Sequence, residues 1–88
     1  MPVLHVPASL RSLADGADHL EVQGATLQAV FGAVAERYPG LTARILDEHG
    51  LRPEMAVAID GSILDQSGLN HAVAADTEIY LVPPIGGG

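Results

Sequence analysis

One stretch constrains the fold more than any other: TLQAVFGAVAERYPG, residues 26–40. Leu27, Val30, Phe31, Val34 and Tyr38 recur at spacings of three and four, which places them on one face of a helix. Thr26 stands at the N-cap position, where its hydroxyl can accept from an N–H of the first turn. Pro39-Gly40 ends the helix, because the residue before a proline is pushed out of the α region. Gly32 inside the helix costs about 1 kcal/mol against alanine, a cost that close packing on a sheet would explain. A helix with one apolar stripe must bury that stripe against another layer.

The other apolar segments supply that layer. VLHVP, Val3 to Pro7, is apolar on both alternating faces, as a central strand is. A loop with a turn at Asp15-Gly16 follows. HLEVQ, His19 to Gln23, and MAVAID, Met55 to Asp60, alternate with period two and read as half-buried strands. Asp60-Gly61 turns the chain, and a short strand is expected at Ile63-Leu64, with a turn at Ser67-Gly68. EIYLV, Glu78 to Val82, is the last strand. A second short helix is expected around Thr42 to Asp47, and His49 to Glu54 reads as a loop. The order β-β-α-β-(β)-β, with the first and last strands as a parallel central pair, predicts an α+β fold of β-grasp (ubiquitin-like) type. A small mixed sheet carries one main helix on one face.

With 88 residues the chain makes one domain, and a chain of that size buries only about 60–65% of its unfolded surface. It has no cysteine, which excludes disulfides, thiolate metal sites and a cysteine nucleophile. Eleven acids face four arginines and no lysine, for a net charge of −7. Such a surface repels phosphate backbones, so nucleic acid is not an expected partner and a protein with a basic surface is. No apolar run approaches the ~20 residues needed to cross a bilayer, and the first residues do not read as a signal peptide. A cytoplasmic setting is expected. His5, His19, His49 and His71 have no ligand spacing, so no metal site is expected. Neither a Ser-His-Asp set nor a phosphate-binding glycine loop is present.

The sequence closes on DTEIYLVPPIGGG. Together with TLQAVFGAVAERYPGL it resembles the ubiquitin-like sulfur carriers of the MoaD/ThiS family, whose last strand is followed by Pro-Pro-apolar-small-Gly-Gly. The likeness covers nearly the whole chain. Gly86 stands where the family usually has Ser or Ala, and VPASLRSLADG is nearest to the longer CysO-type carriers. The resemblance implies a β-grasp domain over residues 1–82 and a flexible tail over 83–88. It also implies that the protein is a co-substrate rather than an enzyme. An activating enzyme consumes ATP to adenylate the Gly88 carboxylate, sulfur displaces AMP to leave a thiocarboxylate, and a biosynthetic enzyme accepts the sulfur. No cofactor is expected on the carrier itself. A small subunit of molybdopterin synthase, a covalent protein modifier and a β-grasp binding domain with an inert tail are the alternatives.

The tail suits such chemistry. Gly86, Gly87 and Gly88 have no Cβ and make the thinnest thread into an enclosed site. Pro83 and Pro84 fix φ and cannot extend a sheet ladder, so they lead the chain away from the strand, and Ile85 can anchor on a partner. Terminal glycines alone are commonest as frayed ends; joined to Pro-Pro-Ile and a β-grasp body they point to function. Alternation also predicts a docking face. If Leu4, Val6, Met55, Val57, Ile59, Ile79 and Leu81 face the helix, then Val3, His5, Ala56, Ala58, Tyr80 and Val82 face outward, an apolar set for a solvent face. Half-exposed strand residues without a partner are the alternative reading. Among the acids, Asp65, Asp76 and Glu78 are the first candidates for contacts to the activating enzyme.

Overall fold

The computed structural model describes residues 1–59, 61–64 and 66–82. The expected tail, Pro83 to Gly88, and the acids Asp60 and Asp65 lie outside the described residues. Strand β1 (Val3–His5) and β2 (His19–Glu21) form an antiparallel pair. Helices α1 (Leu27–Arg37) and α2 (Pro39–Ile45) follow, then the short pair β3 (Leu46–Asp47) and β4 (Gly50–Leu51). Strands β5 (Ala56–Ile59), β6 (Ser62–Leu64) and β7 (Glu78–Val82) complete a five-stranded sheet of order β2-β1-β7-β5-β6.

The sheet is mixed because β1 and β7 run parallel, whereas β5 is antiparallel to β7 and to β6. The expected central pair is therefore adjacent, with β7 in the middle of the sheet. A parallel neighbour needs a crossover, and both helices lie within the connection between β1 and β7. Leu27, Val30, Phe31 and Val34 of α1 are buried, as their spacing requires. They meet Leu4, Val6, Val57, Ile59 and Ile79 from the inner face of the sheet in one core. The Thr26 hydroxyl accepts from the Ala29 N–H at 3.2 Å and caps α1.

Local expectations differ from the structure in several places, and β1 and β2 each end two residues short of the expected Pro7 and Gln23. The segment after β1 is not a plain loop: Ala8–Ala14 is a 3-10 helix that buries Leu10 and Ala14. That turn of helix is fastened by the Arg11 Nε–H, which donates to the Val6 carbonyl at 3.0 Å. Pro39 ends α1 but also starts α2. Tyr38 takes φ −137°, outside the helical region, and Pro39 occupies the first turn of α2, where its missing N–H has no partner to lose. The second helix is therefore Pro39–Ile45 rather than Thr42–Asp47, and the expected loop at 49–54 contains the two-residue strand β4. Finally, Gly32 does not pack on the sheet. It is exposed, and a Cβ built on it would meet nothing within 4 Å.

Two smaller features set the ends of β5, β6 and β7. Ile59 pairs with Ser62, leaving a two-residue connection, and Gly61 there has φ +80°, a conformation side chains disfavour. Ser67-Gly68 falls within a second 3-10 helix, Gln66–Asn70. Thr77 then orients β7: its N–H donates to the Ala74 carbonyl at 3.2 Å and its hydroxyl accepts from Ala74 at 2.9 Å. The Val3 N–H donates to the Thr77 carbonyl at 2.9 Å, which starts the parallel ladder.

Candidate docking site on the outer sheet face

Period-two geometry fixes the outer face of the sheet. Leu4, Val6, Met55, Val57, Ile59, Ile79 and Leu81 are all buried, so the residues between them point the other way. His5, Tyr80 and Ala58 are register partners across β1, β7 and β5, and Val82 is paired with Ala56. The structure thus brings His5, Tyr80, Val82, Ala56 and Ala58 onto one contiguous surface. Tyr80 is 46% exposed and Val82 36%, whereas Ala56, Ala58, Val3 and His5 are half-buried between their neighbours.

The pairing carries the row further than sequence reasoning did. Ala58 is the partner of Ile63 on β6, and His5 is the partner of His19 on β2. Ile63 is 68% exposed and extends the apolar surface to the sheet edge. The Asp60-Gly61 turn contained the signal: a two-residue hairpin places Ile63 opposite Ala58.

The polar groups on this face are organised around histidines. The His5 ring stacks on Tyr80 with centroids 4.3 Å apart and planes 3° from parallel. Nε2 of His5 lies 2.9 Å from the Glu78 carboxylate, so Glu78, an expected partner contact, already has a neighbour in the chain. Asp76 is exposed in the turn before β7. His19 Nδ1 lies 2.7 Å from the Asp18 carboxylate. That hydrogen bond and the charge of His19, with Arg11 adding less, hold the Asp18 carboxyl below the usual carboxylate range. Glu21 and Glu78 add acid to the face, and no strand of the sheet carries an arginine. Among the described residues no group of three His, Asp or Glu side chains is placed to hold a metal.

The last described residue of β7 lies on this surface as well. Val82 is held there by its pairing to Ala56. Among the described residues no helix is long and apolar enough to cross a membrane.

Known proteins share this arrangement. The sequence pattern of the ThiS family matches residues 4–88. A chain in the crystal structure of the Amycolatopsis orientalis BexX/CysO complex is similar over 100% of both chains, with 25% identity and a TM-score of 0.89. The solution structure of small archaeal modifier protein 1 from Methanosarcina acetivorans covers 99% of this chain and 95% of its own, with 25% identity and a TM-score of 0.82. Mycobacterium tuberculosis CysO shares the fold at 21% identity, a TM-score of 0.85, and 97% and 100% coverage. No curated protein matches the sequence. A family match through 85 of 88 positions, on a β-grasp body, places this chain in the ThiS family, among the ubiquitin-like sulfur carriers and modifiers.

Proposed function

We propose that this protein carries sulfur on its last residue and that its folded body presents that residue to partner enzymes. The family match through Gly88, the final glycine of the Pro-Pro-Ile-Gly-Gly-Gly ending, carries the reading. The Gly88 carboxylate attacks the α-phosphate of ATP in an adenylating enzyme and releases pyrophosphate. A sulfur nucleophile at the oxidation level of sulfide then displaces AMP, leaving a thiocarboxylate. Transfer of that sulfur to an electrophilic carbon of an acceptor, with water returning the oxygen, regenerates the carboxylate. Partners bind the ATP and the acceptor; this chain supplies the thread and the docking face.

The geometry supports that division of labour. From Pro83 to Gly88 the chain can extend at most roughly 20 Å, starting from a strand held on both sides by β1 and β5. Tyr80 and Val82 lie on that same strand and face outward. An enzyme seated on Tyr80, Val82, Ala56, Ala58 and His5 therefore has the start of the tail at its edge. Glu21 and Glu78 favour a basic rim on that enzyme. Such chemistry belongs in the cytoplasm, where ATP is available.

A neighbour named as a modifier favours one second reading, joining of Gly88 to target proteins. The same activated carboxylate serves either outcome. Intact-mass measurement after co-expression with the adenylating enzyme and a sulfur source separates them. The mass gain of one oxygen-to-sulfur exchange is expected. Ladders of tail-linked proteins indicate the modifier, and an unchanged mass overturns both.

A further inference from the structure

Beside the apolar face lies a cleft of about 450 Å³, between the end of β1, the first 3-10 helix and Tyr80. Arg11, His5, His19 and Asp18 line it. Arg11 is held there, because its Nε–H donates to the Val6 carbonyl at 3.0 Å. Among the described residues it forms no ion pair, although the chain has eleven acids. The carboxylate that lines the cleft is already engaged: Asp18 lies 2.7 Å from His19. On the adjoining strand, Glu78 lies 2.9 Å from His5. Arg52 is fastened in a similar way, to the Ala43 carbonyl at 3.0 Å, but it belongs to the helix side and not to the outer sheet face.

We propose that this cleft receives an acidic side chain of the docking partner, one that neighbours an apolar side chain laid across Tyr80. A guanidinium already positioned by its Nε loses little freedom when its remaining N–H groups grip a carboxylate. A single negative charge fits better than a phosphate dianion, because Asp18 shares the cleft. A protein fits better than a free anion, because Tyr80 borders both the cleft and the apolar face. Two linked side chains then bind together, each raising the local concentration of the other. The partner surface is thereby specified in more detail than general basicity: positive opposite Glu21 and Glu78, but negative at one point opposite Arg11. The proposal takes from the proposed function only the identity of the docking face.

NMR titration of the full chain with the peptides acetyl-Leu-Glu-amide and acetyl-Leu-Gln-amide tests it. The Arg11 Nε–H and the Tyr80 amide should shift saturably with the glutamate peptide. The glutamine peptide should bind about three- to five-fold more weakly, the scale of one partly exposed ionic contact. Arg11→Gln should abolish that preference and Arg11→Lys should retain part of it. If Arg11→Gln fails to fold, the comparison of the two peptides on the unaltered chain still decides. Equal affinity for the two peptides, or an unmoved Arg11 Nε–H, overturns the proposal. So does inorganic phosphate binding there more tightly than the glutamate peptide. None of these readouts depends on sulfur loading, so failure of thiocarboxylate formation leaves the titration interpretable.

Discussion

Replacing Tyr80 with glutamate separates docking from folding. A tyrosine contributes about 200 Å² of surface when fully covered, and Tyr80 is 46% exposed. A partner seated on the outer face can therefore cover about 100 Å² more, worth about 2.5 kcal/mol at full coverage. Partial coverage makes about 1–2 kcal/mol a realistic loss, or about 5- to 30-fold in affinity. The fold loses less. Tyr80 points away from the core, so the cost is the stack on His5, about 1 kcal/mol. A glutamate at position 80 also stands two residues from Glu78 on the same face, which repels a little further. Adenylation of Tyr80→Glu, followed by pyrophosphate release, should show KM raised about 5- to 30-fold with kcat changed little, and urea unfolding should remain cooperative. Tyr80→Phe keeps the ring and should behave as the parent. A KM for Tyr80→Glu within two-fold of the parent, on a folded protein, would refute the docking face.

Gly32→Ala should stabilise the domain by about 1 kcal/mol, since α1 gains helix propensity and the new Cβ meets nothing. Thermal unfolding should rise by about 4–8 °C; an unchanged or lower midpoint would contradict the open surroundings of Gly32. Gly24→Ala should do the opposite, because its Cβ would approach the Val30 backbone nitrogen at 2.7 Å. In carbon-detected NMR titration the Asp18 carboxyl should lose its proton at lower pH than an unperturbed aspartate, and His19→Ala should move that midpoint upward. The sign follows: the Asp18–His19 contact stabilises the fold above the unfolded-state pKa of Asp18, and that contribution is lost as pH falls through its depressed folded value. Removal of Gly87 and Gly88 should abolish mass gain on sulfur loading while leaving unfolding unaltered; loading that survives the truncation would dismiss Gly88 as the reactive group.

Local rules written in the chain determined much of this protein. The spacing of Leu27, Val30, Phe31 and Val34 fixed the buried face of α1, and the hydroxyl of Thr26 fixed its start. Strict alternation in Met55–Ile59 and Glu78–Val82 decided which side chains turn inward, because a strand's period of two leaves no freedom once one face is apolar. Boundaries were less legible. Pro39 both breaks one helix and is an acceptable first residue of the next, and only the burial of Leu41, Thr42 and Ile45 selects the second role. Gly32 carried an ambiguity of the same kind, since a mid-helix glycine fits either close packing or an open surface, and the neighbours alone decide.

The surface that partners would meet was decided in three dimensions. Tyr80 and Val82 were visible as outward positions of one strand, but their company comes from strand order and register, which no local pattern encodes. Register placed Ile63 opposite Ala58 and His19 opposite His5. The fold of the first 3-10 helix then brought Arg11 to the same cleft as Tyr80, from positions 69 residues apart in sequence. Periodicity acts within a segment, whereas pairing acts between segments and is chosen by how the whole core closes. The sequence alone therefore determined which faces of α1, β5 and β7 this protein buries; only the closed fold buried Leu10, Ala14 and Leu51 and decided which exposed side chains stand together.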